Sequence, residues 1–153
     1  MRRRFRLVVA ILGALLATSC QTPSRPGRAD ENTPATTPLE IRHDLDPLTS
    51  RFPLIGHPLS ASWVTWNNAS GRSPGPTTYW IDAVITLEPS TTTALVSQYQ
   101  ATDHGLRPAV QAILQSDVPA GPFLTGTALD DAFGAAVYLD QHDNQLVIKW
   151  VRN

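Results

Sequence analysis

Thr77-Thr78-Tyr79-Trp80-Ile81-Asp82-Ala83-Val84-Ile85-Thr86-Leu87 is the stretch on which the fold turns. It is rich in β-branched and aromatic residues, the types that fit a pleated, half-buried surface, so it reads as a strand. At a period of two, Tyr79, Ile81, Ala83, Ile85 and Leu87 fall on one face, while Trp80, Asp82, Val84 and Thr86 fall on the other. The first set is the expected core face. Upstream, Ser60 to Trp66 has the same character, and the loop between the two runs, Asn67 to Pro76, is full of turn formers, so the pair reads as a hairpin. Ala135 to Asp140 and Gln145 to Val151, joined through Gln141-His142-Asp143-Asn144, read as a second hairpin.

Between the hairpins the period changes. Pro89 ends the strand, and Leu95, Val96 and Tyr99 recur at helical spacing, which predicts a helix over 90–100. A second short helix is expected after Leu106, with Pro108 near its first turn and Leu106, Val110, Ile113 and Leu114 along one stripe. Val118 to Pro122 would end it. A third is expected from Thr127, as a capping residue, to Gly134 as its stop, with Asp130 in the first turn. The expected fold class is α+β: a small four-stranded, mostly antiparallel sheet of two hairpins, with two or three short helices on one face.

The start of the chain has a different composition. Arg2-Arg3-Arg4-Phe5-Arg6 is a positively charged opening, Leu7 to Leu16 is an apolar run, and Ala17-Thr18-Ser19 are small residues that lead into Cys20. This arrangement resembles the signal peptide of a bacterial lipoprotein, in which the cysteine becomes the first mature residue and carries the lipid. One position departs from the pattern, with Ala17 three places before the cysteine where leucine is usual. The apolar run is about ten residues, against the roughly twenty needed to cross a bilayer as a helix. Cys20 is the single cysteine, so no internal disulfide forms, and acylation would remove an otherwise reactive thiol. On its general plan of signal, proline- and threonine-rich tether and compact aromatic domain, the chain also resembles small lipoproteins of high-GC Gram-positive bacteria. The organisation expected is a signal peptide over 1–19, a disordered tether over 20–47 carrying Pro23, Pro26, Pro34, Pro38 and Pro47, and one globular domain over 48–153.

Loss of residues 1–19 removes four of the twelve basic residues and none of the thirteen acidic ones, which leaves a formal balance of −5 with Lys149 the one lysine. That balance lacks the electrostatic footprint of a nucleic-acid binder and of a basic patch for anionic headgroups. Partners implied are therefore the membrane, through a lipid at Cys20, and an envelope protein or a small ligand. No phosphate-cradling glycine loop, nucleophile elbow or metal-ligand spacing occurs, so no cofactor and no metal are expected.

Two surfaces are candidates for binding. Trp66 and Arg72 belong to the long loop between the first two strands and its flanks, which hold Trp63, Trp66, Tyr79 and Trp80, and aromatic faces and a guanidinium could meet a partner there; the alternative is that the aromatics only fill a small core. Trp80, Asp82, Tyr138 and Lys149 fall on the sheet face expected to lie opposite the helices, and would suit a sugar, a peptide or a protein surface if the registers bring them together. His43-Asp44, Asp103-His104 and His142-Asp143 each place an imidazole next to a carboxylate, and all three read as turn or loop polarity. Asp140, His142 and Asn144 alternate as the start of a cation loop does, but without its glycine and distal glutamate they read as a connecting turn. The expectation is a lipid-anchored protein on the extracytoplasmic face of a cell membrane with a non-enzymatic binding domain. The alternative is an envelope hydrolase whose distant carboxylates or histidines converge only in the fold.

Overall fold

In a computed structural model of the chain, residues 38–69, 75–103 and 106–153 are described. Cys20, the signal, Arg72 and His104 lie outside them. Four long strands, β1 (Ser60–Asn67), β2 (Tyr79–Thr86), β5 (Ala136–Asp140) and β6 (Gln145–Arg152), carry most of an open antiparallel sheet. The two-residue strands β3 (Thr102–Asp103) and β4 (Leu124–Thr125) extend it, in the order β1-β2-β6-β5-β4-β3. The sheet is thus wider than the four strands expected. Thr102 and Leu124 give too short an alternation to stand out in the sequence, and they become strand only because β5 offers an open edge. Three helices complete the described fold: α1 (Asp46–Arg51), α2 (Pro89–Tyr99) and α3 (Thr127–Phe133). Among the described residues, no helix is long and apolar enough to cross a membrane.

The two hairpins join through their long strands. β2 pairs with β6 over its whole length, with Ala83 opposite Ile148 and Ile85 opposite Leu146. Because β2 has β1 on its other side, it is interior to the sheet. Its odd-numbered face is the core face: Ala83, Ile85 and Leu87 are buried with Trp63, Val137, Leu139, Leu146 and Ile148 under Leu48, Phe52, Leu95, Leu129 and Phe133 from the helical side. Ile81 is half-buried and Tyr79 is exposed, because they reach the open end of the sheet.

The opposite face is covered as well. Val84, Val147, Val118 and Phe123 form a second buried cluster, with Val110 and Tyr138 packed against it. An interior strand with apolar residues on both sides needs a cover on both sides. Residues 106–123 supply the second one. They do not form the short helix expected after Leu106: the segment has no regular structure up to Gln111 and contains a single 3₁₀ turn, Ala112–Leu114. Pro108 has no N–H and biases the residue before it away from helix, and Gln111 spends its N–H on the Asp82 carboxylate, 2.8 Å away. Arg107 holds the far limb by donating to the carbonyls of Gln115 and Val118 at 3.2 and 3.0 Å.

Two buried carboxylates on the sheet fasten this cover. Asp82 takes Gln111 near one end, and Asp140 takes the N–H of Gly121 at 3.2 Å near the other. Gly121 has φ +83°, and a Cβ there would come within 3.0 Å of the Phe123 ring, so both conformation and space require glycine. α3 begins at Gly126 rather than on a threonine cap; the Asp130 carboxylate instead accepts the N–H of Val137 at 2.8 Å and ties the helix to β5. Gly134 ends the helix in the left-handed conformation, as its position after the apolar run predicts.

Residues 42–47, read from the sequence as the end of the tether, are in contact with the domain. Arg42 exchanges two backbone hydrogen bonds with Trp63, and the indole of Trp63 donates to the carbonyl of Asp44 at 3.0 Å. Pro47 lies in the first turn of α1.

Candidate functional site

The register of β1, β2 and β6 arranges the outward face of this sheet end in rows. Trp66, Trp80 and Val151 form one cross-strand row; Val64, Asp82 and Lys149 form the next; Val84, Val147 and Tyr138 follow. The cover crosses the third row and stops short of the first. A cleft of about 420 Å³ opens where it stops, with Trp66, Trp80, Asp82 and Lys149 on the sheet side and Val110 and Gln111 on the cover.

The two indoles lie nearly parallel, with ring centroids 5.8 Å apart and 10° between planes, and both are half-buried. Directly opposed positions on adjacent strands bring large aromatics face to face, and such pairs contribute about 0.5–1.5 kcal/mol beyond their buried area. Asp82 is 5% exposed. One of its oxygens accepts the Gln111 N–H, the other has no hydrogen-bond partner among the described residues, and the residue lines the cleft. Burial pushes the Asp82 carboxyl above its ordinary range, against the smaller opposing effects of the Gln111 hydrogen bond and the Lys149 charge. Lys149 is the direct cross-strand neighbour of Asp82, yet no ion pair within 4 Å joins them.

The residues singled out in the sequence therefore separate. Trp66, Trp80, Asp82 and Lys149 meet in the cleft, so Trp80, which belongs to both candidate surfaces, joins Trp66 of the loop flank to Asp82 and Lys149 of the sheet face. Tyr138 shares their face but lies a row away, edge-on to Phe123 at 6.4 Å, and belongs to the second core cluster. Arg72 falls outside the described residues. Trp63, weighed with the loop aromatics, is 3% exposed and is a core residue. Val110 and Gln111 were missed as cleft residues, because the stretch was read as helix. Their signal was Pro108, together with the apolar Val84 and Val147 on a face that a solvated sheet would leave polar.

A second cleft of similar size lies on the helical side of the same sheet end, lined by Tyr79, Ile81, Trp150 and Arg152, with Thr65 and Thr77. Arg51 of α1 stacks its guanidinium 3.9 Å from the Trp150 ring centroid.

The two histidine pairs among the described residues, His43-Asp44 and His142-Asp143, line neither cleft. His43 donates through Nδ1 to the Ala61 carbonyl at 2.8 Å and pins the entry of the chain onto β1. His142 and Asp143 do meet, at 2.8 Å, on the exposed turn between β5 and β6, where the carboxylate holds the imidazole above its ordinary pKa. Asp140 serves the same turn: its Oδ1 accepts the N–H groups of His142 and Asp143 at 2.9 and 3.1 Å, so its alternation with His142 and Asn144 builds a connection. Among the described residues, no group of three or more His, Cys, Asp or Glu side chains is placed to hold a metal ion. Comparison of the chain with protein-family models, with curated proteins and with solved structures gives no match.

Proposed function

We propose that this chain is a lipoprotein held at the extracytoplasmic face of a cell membrane by acylation of Cys20, and that its α+β domain binds a ligand in the cleft between the Trp66–Trp80 stack and Gln111. The anchor rests on the basic opening, the short apolar run and the small residues before the single cysteine. The binding role rests chiefly on one observation: in a domain this small, two indoles border one open cleft together with a buried carboxylate that has an unpaired oxygen and a lysine that has no ion pair among the described residues. Such a concentration of aromatic area and convergent polar groups is what ligand sites have in common.

Both halves are testable in cells that export the protein. A clickable palmitate analogue labels the wild-type chain, and Cys20→Ala loses the label and the membrane fraction; a cleaved Cys20→Ala protein that stays on the membrane refutes the anchor. For the cleft, a photo-crosslinking amino acid at Ala112, which lines the opening, captures the ligand or partner in intact cells, and Trp80→Ala reduces the capture. Undiminished capture in Trp80→Ala refutes the cleft as the binding site.

A further inference from the structure

The cleft contains enough chemistry to name a ligand class, an inference that rests on its reading as a binding site. Trp80, Asp82 and Lys149 stand on β2 and β6, interior strands with their main-chain groups paired to neighbours, while Trp66 stands on the edge strand β1. A peptide laid over β2 and β6 finds no strand edge to extend, the mode by which an extended chain gains most of its affinity, and meets one only along the outer side of β1. Charge narrows the choice further. Asp82 and Lys149 oppose each other across the ladder, so the cleft has no single-signed field that would attract a polyanion or a polycation. The lysine also works against a cationic guest on the indole faces.

What the cleft offers is a flat apolar wall with an acceptor and a donor beside it. Trp66 and Trp80 stack on each other and both border the cleft, so the wall is the ring face that an indole leaves outside the stack. The free carboxylate oxygen of Asp82 accepts from a hydroxyl, and the Lys149 ammonium donates to an oxygen. A guest that satisfies all three is a ring with an apolar C–H face and an edge of hydroxyls that donate and accept at once. A cleft of about 420 Å³ falls in the size range of small-molecule sites. We infer that the cleft binds a neutral saccharide, one pyranose ring stacking on an outer indole face of the Trp66–Trp80 pair while its hydroxyls reach Asp82 and Lys149.

The test uses the full-length chain in a detergent without a sugar headgroup. Tryptophan fluorescence and calorimetry follow titration with four named probes: cellotetraose, maltotetraose, chitotetraose and mannotetraose. At least one is expected to bind with a dissociation constant below about 10 mM, weak binding by the affinity scale of specific sites. Trp80→Ala should weaken it at least tenfold. Lys149→Met, at a half-exposed position where the change leaves the core untouched, should weaken it severalfold and keeps the test valid if the tryptophan variant does not fold. No binding by any of the four probes overturns the saccharide assignment, as does binding that survives Lys149→Met and Trp80→Ala unchanged. Capture at Ala112 separates the two levels. If the probes fail while an Ala112 crosslinker still captures a partner in a Trp80-dependent manner, the cleft stands and the ligand class falls; if both fail, the binding reading falls with it.

Discussion

Replacing Asp140 by alanine removes the fastening at one end of the cover and the organiser of the β5–β6 turn in a single step. The carboxylate is 1% exposed and accepts three backbone N–H groups, from His142, Asp143 and Gly121. Hydrogen bonds to a charged acceptor contribute about 1.5–3 kcal/mol each when intact. The three are not equal in the variant. His142 and Asp143 sit on an exposed turn where water replaces the lost acceptor, so their loss costs well below that range, about 0.5 kcal/mol each, the low end for an ordinary hydrogen bond. The Gly121 N–H is half-buried under the cover and stays unsatisfied, which costs about 1–3 kcal/mol. Relief of the buried carboxylate's desolvation offsets part of this, and the net expectation for Asp140→Ala is a loss of about 2–3 kcal/mol. Asp140→Asn keeps one carbonyl oxygen for the turn pair but turns an amide toward Gly121, so it should lose about 1–2 kcal/mol. Urea unfolding gives both values, and amide exchange locates them: protection at Gly121 should fall in both variants and protection at Ile85 should fall only with global stability. A loss under about 1 kcal/mol for Asp140→Ala, or no selective change at Gly121, would refute the pinned cover.

Phe123→Ala tests whether the second face is a true core: the ring is 1% exposed against Val84 and Val147, so urea unfolding should show a loss of about 3–5 kcal/mol, whereas a merely draped segment would lose far less. Asp82 predicts a pH dependence. Because its carboxyl is raised by burial, the folded state holds the proton more tightly than the unfolded chain, and this group's contribution favours folding at low pH and falls as pH rises through the folded pKa. Asp82→Asn should flatten that part of the stability–pH profile, and an unchanged profile would show that Asp82 is not so perturbed. Truncation that begins the chain at residue 46 removes the Arg42 and His43 hydrogen bonds and the Trp63 acceptor at Asp44. It should cost about 1–3 kcal/mol relative to a chain that begins at residue 38, and equal unfolding midpoints would mean that these contacts are incidental.

The sequence by itself determined the long strands, two of the helices and the phase of the core. Ile85 and Leu87 are buried, as the period of two requires, because alternation is a local property that any sheet with one apolar side must obey. Pro89 at the first turn of α2 and Gly134 beyond α3 stop and start helices through φ alone, and need no neighbour to do so. The cleft was legible only in parts. Trp66 and Trp80 both flank the loop in the sequence, but their direct opposition, on one face with Asp82 and Lys149, depends on a hairpin register that composition does not reveal. Segment 106–123 went the other way: its apolar spacing suits a helix, but Pro108 and the Asp82 hydrogen bond to Gln111 hold it out of a helix over Val84 and Val147. A carboxylate 29 positions upstream decides that conformation. Tertiary structure alone brings such partners together, because a buried N–H takes whatever acceptor the fold places within reach, whatever the local propensity prefers.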